Sequence, residues 1–255
     1  MIFGIEIWRI VLIVVLIFLV VKRANIVAFF AKLKYNKREY PKAMKIFQLA
    51  DKVGNLSVNN KLLLGYVCLR CGELQEARKH LNLCKNMIPR GRADRNQVKN
   101  LLALVSWKEG NLDEAIEMLE EILEDGYRNT QVYQNLGILY NLSGDAEKAV
   151  KFNQEALEFN EDDQIIRDNL ADSLAIAGRL EESAEIYEKL VHEDPEPRFP
   201  EAYYGYGKVL IALGNKDQGL GMIKKSLEKP FSFLSIHTKE EIEDLYRSHG
   251  GTLEE

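Results

Sequence analysis

The residues in this chain with the clearest chemical potential are Cys68, Cys71, His80 and Cys84, arranged Cys-x2-Cys and then His-x3-Cys. Thiolates and an imidazole at such spacings are the ligand types of a tetrahedral zinc site. Elsewhere the chain has no phosphate-cradling glycine loop, no nucleophile elbow, no paired-histidine metal motif and no kinase signature, so no enzyme and no cofactor is expected. His192, His237 and His249 have no partner pattern and are expected at the surface. What remains is a set of amides, acids and aromatics that could hold a peptide, and their meaning depends on the elements that carry them.

Those elements repeat. Residues 129–162 place Tyr133, Leu136, Gly137 and Tyr140 at helical spacing, break at Ser143-Gly144-Asp145, and resume with Ala149, Phe152 and Ala156. The unit reads as two short amphipathic helices around a tight turn. Turn glycines recur at Gly72, Gly110, Gly144, Gly178 and Gly214, spaced 38, 34, 34 and 36 residues apart. Each is followed at one fixed offset by a small residue: Ala77, Ala115, Ala149, Ser183 and Gly219. Pro89, Pro195 and Pro230 close three of the units, where a helix must stop. A degenerate copy lies upstream around Tyr40, Ala43, Phe47 and Ala50, with Lys34 where its first helix would show an aromatic.

This pattern resembles the tetratricopeptide repeat (TPR), which has an aromatic, then Leu-Gly, then Tyr, a turn glycine and later alanines. The resemblance implies an all-α fold, an α-solenoid that is a right-handed superhelix of helix pairs, and the apolar N-terminal stretch adds a transmembrane helix before it. Six repeats are expected, at about 24–57, 58–95, 96–129, 130–163, 164–198 and 199–230, with an anchor at 1–23 and a capping helix and tail at 231–255. The helix starting after Thr238 opens with a capping box, Thr238-Lys-Glu-Glu241, and is expected to cover the open end of the stack. In this register Cys68 and Cys84 occupy the places of Tyr140 and Ala156, which are packing positions. The cysteine cluster is therefore read as buried core and no metal is expected.

Residues 10–21 form an unbroken apolar run, roughly 18 Å of helix, and counting from Ile2 extends it to about 30 Å, enough to cross a bilayer. The extension includes Glu6 and Arg9, which lie on one helix face and could pair or snorkel beside Trp8. A cleaved signal peptide is the rival, but Glu6 offsets Arg9 and Lys22-Arg23 follows the run where a small-x-small site would stand. A single-pass anchor through residues 2–21 is expected. Lys22, Arg23, Lys32, Lys34, Lys37 and Arg38 crowd its C-terminal side, which places the repeats in the cytoplasm. Three cysteines, an odd number, fit that reducing compartment. Residues 24–34 are expected to continue the membrane helix into the first repeat.

Charge is uneven along the chain. Residues 1–110 carry 20 Lys and Arg against 7 Asp and Glu, and residues 111–197 carry 6 against 23. A basic half beside the anchor would be drawn to anionic lipid, with residues 22–38 nearest to it, although an unevenly charged solvated surface reads the same way. Lys85, Arg90, Arg92, Arg95 and Lys99 surround a long loop and could touch phosphate; without interleaved aromatics lipid is preferred and no nucleic acid is expected.

The resemblance also implies a role: TPR solenoids hold a protein or peptide partner in the groove lined by their first helices. The groove positions here are Asn100, Leu104 and Trp107, then Gln134, Asn135, Ile138 and Asn141. They continue with Asp168, Asn169 and Asp172, and end with Tyr204 and Lys208. Asn135 and Asn169 each precede the first-helix leucine, where an amide can pair with an extended backbone or brace the neighbouring repeat. Trp107 could anchor a side chain or belong to the core. The expectation is a membrane-anchored scaffold or adaptor that binds a partner in its groove, with a self-associating organiser of the membrane surface, or a Cys/His metal-sensing protein, as the alternatives.

Overall fold

A computed structural model of the protein describes residues 3–89 and 91–252, with side chains from residue 7 onward. Ile2, the side chain of Glu6 and Arg90 lie outside the described residues. Among the described residues the secondary structure is thirteen α-helices with no strand. The helices fall into two compact units, 1–105 and 106–255.

The first unit begins with α1, Phe3–Asn36, followed by α2, Tyr40–Val53, α3, Val58–Arg70, α4, Leu74–Met87, and α5, Ala93–Lys108, whose last turn belongs to the second unit. The long helix α1 has two parts. Its large apolar residues from Ile7 to Val21 are 46–71% exposed on every face, whereas Ala24, Ala28 and Ala31 are buried where α1 packs on α2. Spacings of four and three put these alanines on one stripe, and their small size brings the helices close enough for Ala43, Phe47 and Ala50 of α2 to complete the seam. Polar contacts pin the junction: Arg23 donates to the Val53 carbonyl, and Asn25 Oδ1 accepts from Ser57 N at 3.1 Å and Asn60 Nδ2 at 2.8 Å. The aromatic missing at Lys34 is supplied one residue later, by Tyr35, which packs edge-on against Tyr40 and Tyr66.

The second unit holds α6, Leu112–Glu124, α7, Thr130–Ser143, α8, Ala146–Phe159, α9, Gln164–Ile176, α10, Leu180–Val191, α11, Pro200–Ala212, α12, Lys216–Leu227, and α13, Lys239–Ser248. Helices adjacent in sequence pack as hairpins, and α7, α9 and α11 also touch in succession. Tyr133 stacks on Phe152 and Phe159, with ring centroids 5.7 and 4.5 Å apart, between α7 and α8. Tyr187, Tyr203 and Tyr206 fill the layer between α10 and α11.

The turn chemistry explains the sequence period. Gly72, Gly110, Gly144, Gly178 and Gly214 have φ between +77° and +92°, the left-handed region that side-chain-bearing residues avoid. At four of them the next residue donates back into the first helix: Glu73 to Cys68 O, Asn111 to Ser106 O, Arg179 to Leu174 O and Asn215 to Leu210 O, all at 2.8–2.9 Å. These bonds are the 6→1 closure of a Schellman motif and satisfy carbonyls the helix end leaves open. At Gly144 a side chain takes an open carbonyl, Ser143 Oγ donating to Tyr140 O, and Asp145 caps the start of α8 by accepting from Lys148 N. Thr238 and Glu241 form the expected reciprocal capping box on α13, whose Ile242 and Tyr246 pack with Tyr204 and Ile223.

Candidate functional site

Three members of the Cys/His cluster are packed among the helices and Cys71 is half-buried. Cys68, Cys84 and His80 are buried, Cys84 Sγ lies 3.6 Å from the Val58 carbonyl, and His80 Nε2 faces Glu76 Oε2 at 3.3 Å. Burial pushes the Cys68 thiol up to about 12 and the Cys84 thiol to about 11, which keeps both protonated and apolar in character. Among the described residues no three His, Cys, Asp or Glu side chains are grouped to hold a metal ion.

The basic loop is also partly occupied. Arg95 Nη1 donates to Lys85 O and Ile88 O, at 2.5 and 2.9 Å, closing the end of α4, and Arg92 pairs with Asp94. Both arginines therefore already have protein partners.

The groove positions of the first unit, Asn100 and Leu104, are buried in α5. Those of the second unit sort into two connected groups on α7, α9 and α11. The first is an amide lattice. Asn141 Nδ2 donates to Asn169 O at 2.9 Å and to Asp172 Oδ2 at 3.1 Å, while its Oδ1 accepts from Asn153 Nδ2 at 3.0 Å. Asn169 Nδ2 reaches Gln134 O at 2.9 Å, and Gln134 Nε2 reaches both oxygens of Asp163, the cap of α9. Asn169 thus ties one repeat to the next. Asn135 and Ile138 are half-buried beside it on α7.

Asn153 is fully buried and was not among the sequence candidates; its signal is an amide on the otherwise apolar face of α8, one turn after Ala149. A Cβ added at Gly137 would meet Asn153 Oδ1 and lie 2.9 Å from Asn169 Nδ2. Gly137→Ala is therefore expected to destabilise the protein by about 1–3 kcal/mol through overpacking, and distinctly less in an Asn153→Ala background. Thermal or urea melts of the four-member cycle measure the coupling; strictly additive effects would refute this account of why position 137 is glycine.

The second group is ionisable. Asp168 is buried with Oδ1 unpartnered, and burial, then the charges of Asp172 and Glu201, raise its pKa well above the usual carboxylate range against the pull of Lys208. Glu201, Tyr204 and Lys208 recur at helical spacing on α11, and Lys208 Nζ sits 4.8 Å from the Tyr204 ring centroid. Trp107, half-buried, has Lys108 Nζ 4.0 Å from its ring centroid. His237 is not at the open surface: it is half-buried edge-on against Tyr204, 4.7 Å between centroids, and burial lowers its pKa. No spacing rule links His237 to Tyr204, since the chain returns to α11 only through an irregular connection. A separate shallow cleft of about 390 Å³, lined by Asp163, Gln164, Pro195 and Arg198 among others, contains none of the predicted groove residues.

Paired helices with small residues at their crossings and polar first-helix faces define a helical-hairpin repeat protein that works by binding. Sequence models described as tetratricopeptide repeat match residues 94–162 and 169–221, so those stretches carry tetratricopeptide repeats. A crystal structure of a tetratricopeptide repeat protein from Parabacteroides merdae aligns with 89% of this chain and 84% of its own, at TM-score 0.72 and 15% identity. A thermophilic TPR protein from Thermus thermophilus aligns with 76% of this chain and 98% of its own, at TM-score 0.60 and 17% identity. At those identities the likeness is one of fold. Comparison with curated proteins gives no match.

Proposed function

We propose that this protein is a membrane-anchored scaffold whose repeats face the cytoplasm and hold a protein or peptide partner along the first-helix face of α7, α9 and α11. The observation that carries the reading is α1. Its N-terminal half is apolar and exposed on all sides, as a lipid-facing helix is, while its C-terminal half is packed into the repeats. One continuous helix would therefore couple bilayer and scaffold without a flexible linker. Ile26, Phe29, Phe30 and Leu33 extend the exposed apolar face past the basic pair Lys22-Arg23, which favours a first repeat lying against the headgroups. Interaction through repeats is the general business of this fold; the groove residues, the six-repeat division and the anionic-lipid contact are parts of the proposal.

The full chain is expected to stay with membranes through alkaline carbonate extraction, with its N-terminus intact by mass and its repeats resistant to protease added from outside the cell. A version starting at Ala24 is expected in the soluble fraction. An N-terminus beginning near Val21 in the mature protein would refute the anchor in favour of a cleaved leader. For the groove, Lys208→Glu is expected to reduce a co-purifying partner at least about tenfold, the loss of one desolvated contact; an unchanged co-purification refutes the assignment to this face.

A further inference from the structure

The connection between α12 and α13, residues 231–238, does not run over the outside of the helices. Residues 232–235 form a compact turn, with Ser235 N donating to Ser232 O at 3.0 Å. The chain then crosses the face that carries Asp172, Tyr204 and Lys208. Lys108 Nζ donates to Ser235 O at 2.9 Å, and Glu201 Oε1 accepts from Ile236 N at 3.1 Å. His237 follows, edge-on against Tyr204. One lysine and one glutamate therefore take the carbonyl of one residue and the N–H of the next, and an aromatic takes the ring after that.

We propose that residues 231–238 are a ligand in cis for this face, and that the external occupant is an irregular or extended peptide of the same chemistry: a small hydroxyl residue, an aliphatic residue and then a ring. The inference rests on the groove reading above and deepens it. Three features support it. The Lys108 and Glu201 contacts to Ser235 O and Ile236 N read main chain, so another peptide reproduces them without sharing the sequence, and the Ser235 hydroxyl adds a side-chain hydrogen bond to Glu201 that favours a hydroxyl residue there. Lys108 and Glu201 are both half-buried, and a departing segment leaves a donor and an acceptor that a new backbone can satisfy. Past Phe231, which packs against Tyr204, Ile223, Ile242 and Tyr246, the segment is a strap and not a core element: Phe233 is exposed, and the packing of the last helix is carried by Ile242 and Tyr246. A short tether presents the strap at an effective concentration of about millimolar, so a partner binds only as tightly as its intrinsic affinity reduced by the fraction of open strap.

The test uses the full chain in detergent micelles and a fluorescently labelled peptide with the sequence of residues 230–239. Ile236→Pro removes the N–H that Glu201 accepts; a second variant replaces Ser235, Ile236 and His237 by glycine, which keeps the two main-chain groups but removes the ring against Tyr204 and raises the entropy of the strap, and leaves the face intact. Either opened variant is expected to bind the peptide at least tenfold more tightly than the wild type by anisotropy. Equal binding by wild type and variants overturns the cis-ligand inference while leaving the groove reading in place. No binding by a folded variant also overturns it, and so does loss of helical signal in both variants, because a ligand is dispensable for folding. The groove reading fails separately, when Lys208→Glu leaves partner capture unchanged.

Discussion

Asp168→Asn is expected to raise the melting temperature at about pH 8 by several degrees and to change it little near pH 4. Asp168 is buried with an unpartnered oxygen, beside the carboxylates of Asp172 and Glu201, and its folded-state pKa is raised. In the unfolded chain it titrates near about 3.9. A group whose folded pKa is raised contributes stability that is fully present below the unfolded value and is lost as pH climbs through the folded value. The wild type therefore carries a burden at neutral pH that asparagine, of the same shape and never charged, does not carry. The gap is on the order of 1–3 kcal/mol, the range for a buried polar group left without its partner. Other groups act the opposite way. Glu193, held down by its hydrogen bonds from Arg167, loses stability as pH falls. Comparing variant with wild type at each pH cancels those terms. Melts from about pH 4 to pH 8 that show a constant gap would refute the account.

The position of Asp168 shows where the sequence stops being readable. Repeat register placed it on a first helix, and the same register placed the turn glycines that prove left-handed and the alanines at the helix crossings. Local rules suffice for those, because a Schellman turn and a close crossing depend on residues a few positions apart. Register also separates first-helix from second-helix residues, and so finds Asn141, Asn169, Tyr204 and Lys208. It does not give their direction along the face. Asn169 turns to the carbonyl of Gln134 in the preceding repeat, and Asp168 is covered by α11 of the following one; each outcome is decided by a neighbouring repeat, about 35 residues away. His237 and the strap were the least legible. They reach Tyr204, Glu201 and Lys108 through an irregular connection with no periodicity, and only the folded chain shows that residues 108 and 235 meet. The first helix of the first repeat is legible in part: residues 24–34 are expected to continue the membrane helix into the first repeat, and the structure adds the stripe Ala24, Ala28 and Ala31 by which that helix packs.

The crossing of α11 and α12 supplies the second large effect. Gly207→Ala and Gly219→Ala are each expected to destabilise the last helix pair, although alanine is the better helix former by about 1 kcal/mol. The two glycines face each other. A Cβ at Gly207 would stand 2.8 Å from Gly219 O and 3.1 Å from Ile223 N, and one at Gly219 would stand 2.7 Å from Gly207 O. Those neighbours are backbone, so no rotamer change relieves the contact and the helices must separate. Separation unpacks Ile223, which is fully buried against Tyr204, Ile242 and Tyr246. Overpacking of this kind costs about 1–3 kcal/mol and occasionally more, which outweighs the propensity gain. Gly221, on the same helix, has nothing within 4 Å of an added Cβ. Gly221→Ala should therefore stabilise by roughly 0.5–1 kcal/mol. Urea melts of the three variants decide the matter: if all three stabilise, helix propensity rules α11 and α12 and the close crossing does not. Because α11 also carries Glu201, Tyr204 and Lys208, a parted crossing moves the face that holds the strap, and Gly207→Ala is expected to bind the peptide of residues 230–239 differently from Gly221→Ala.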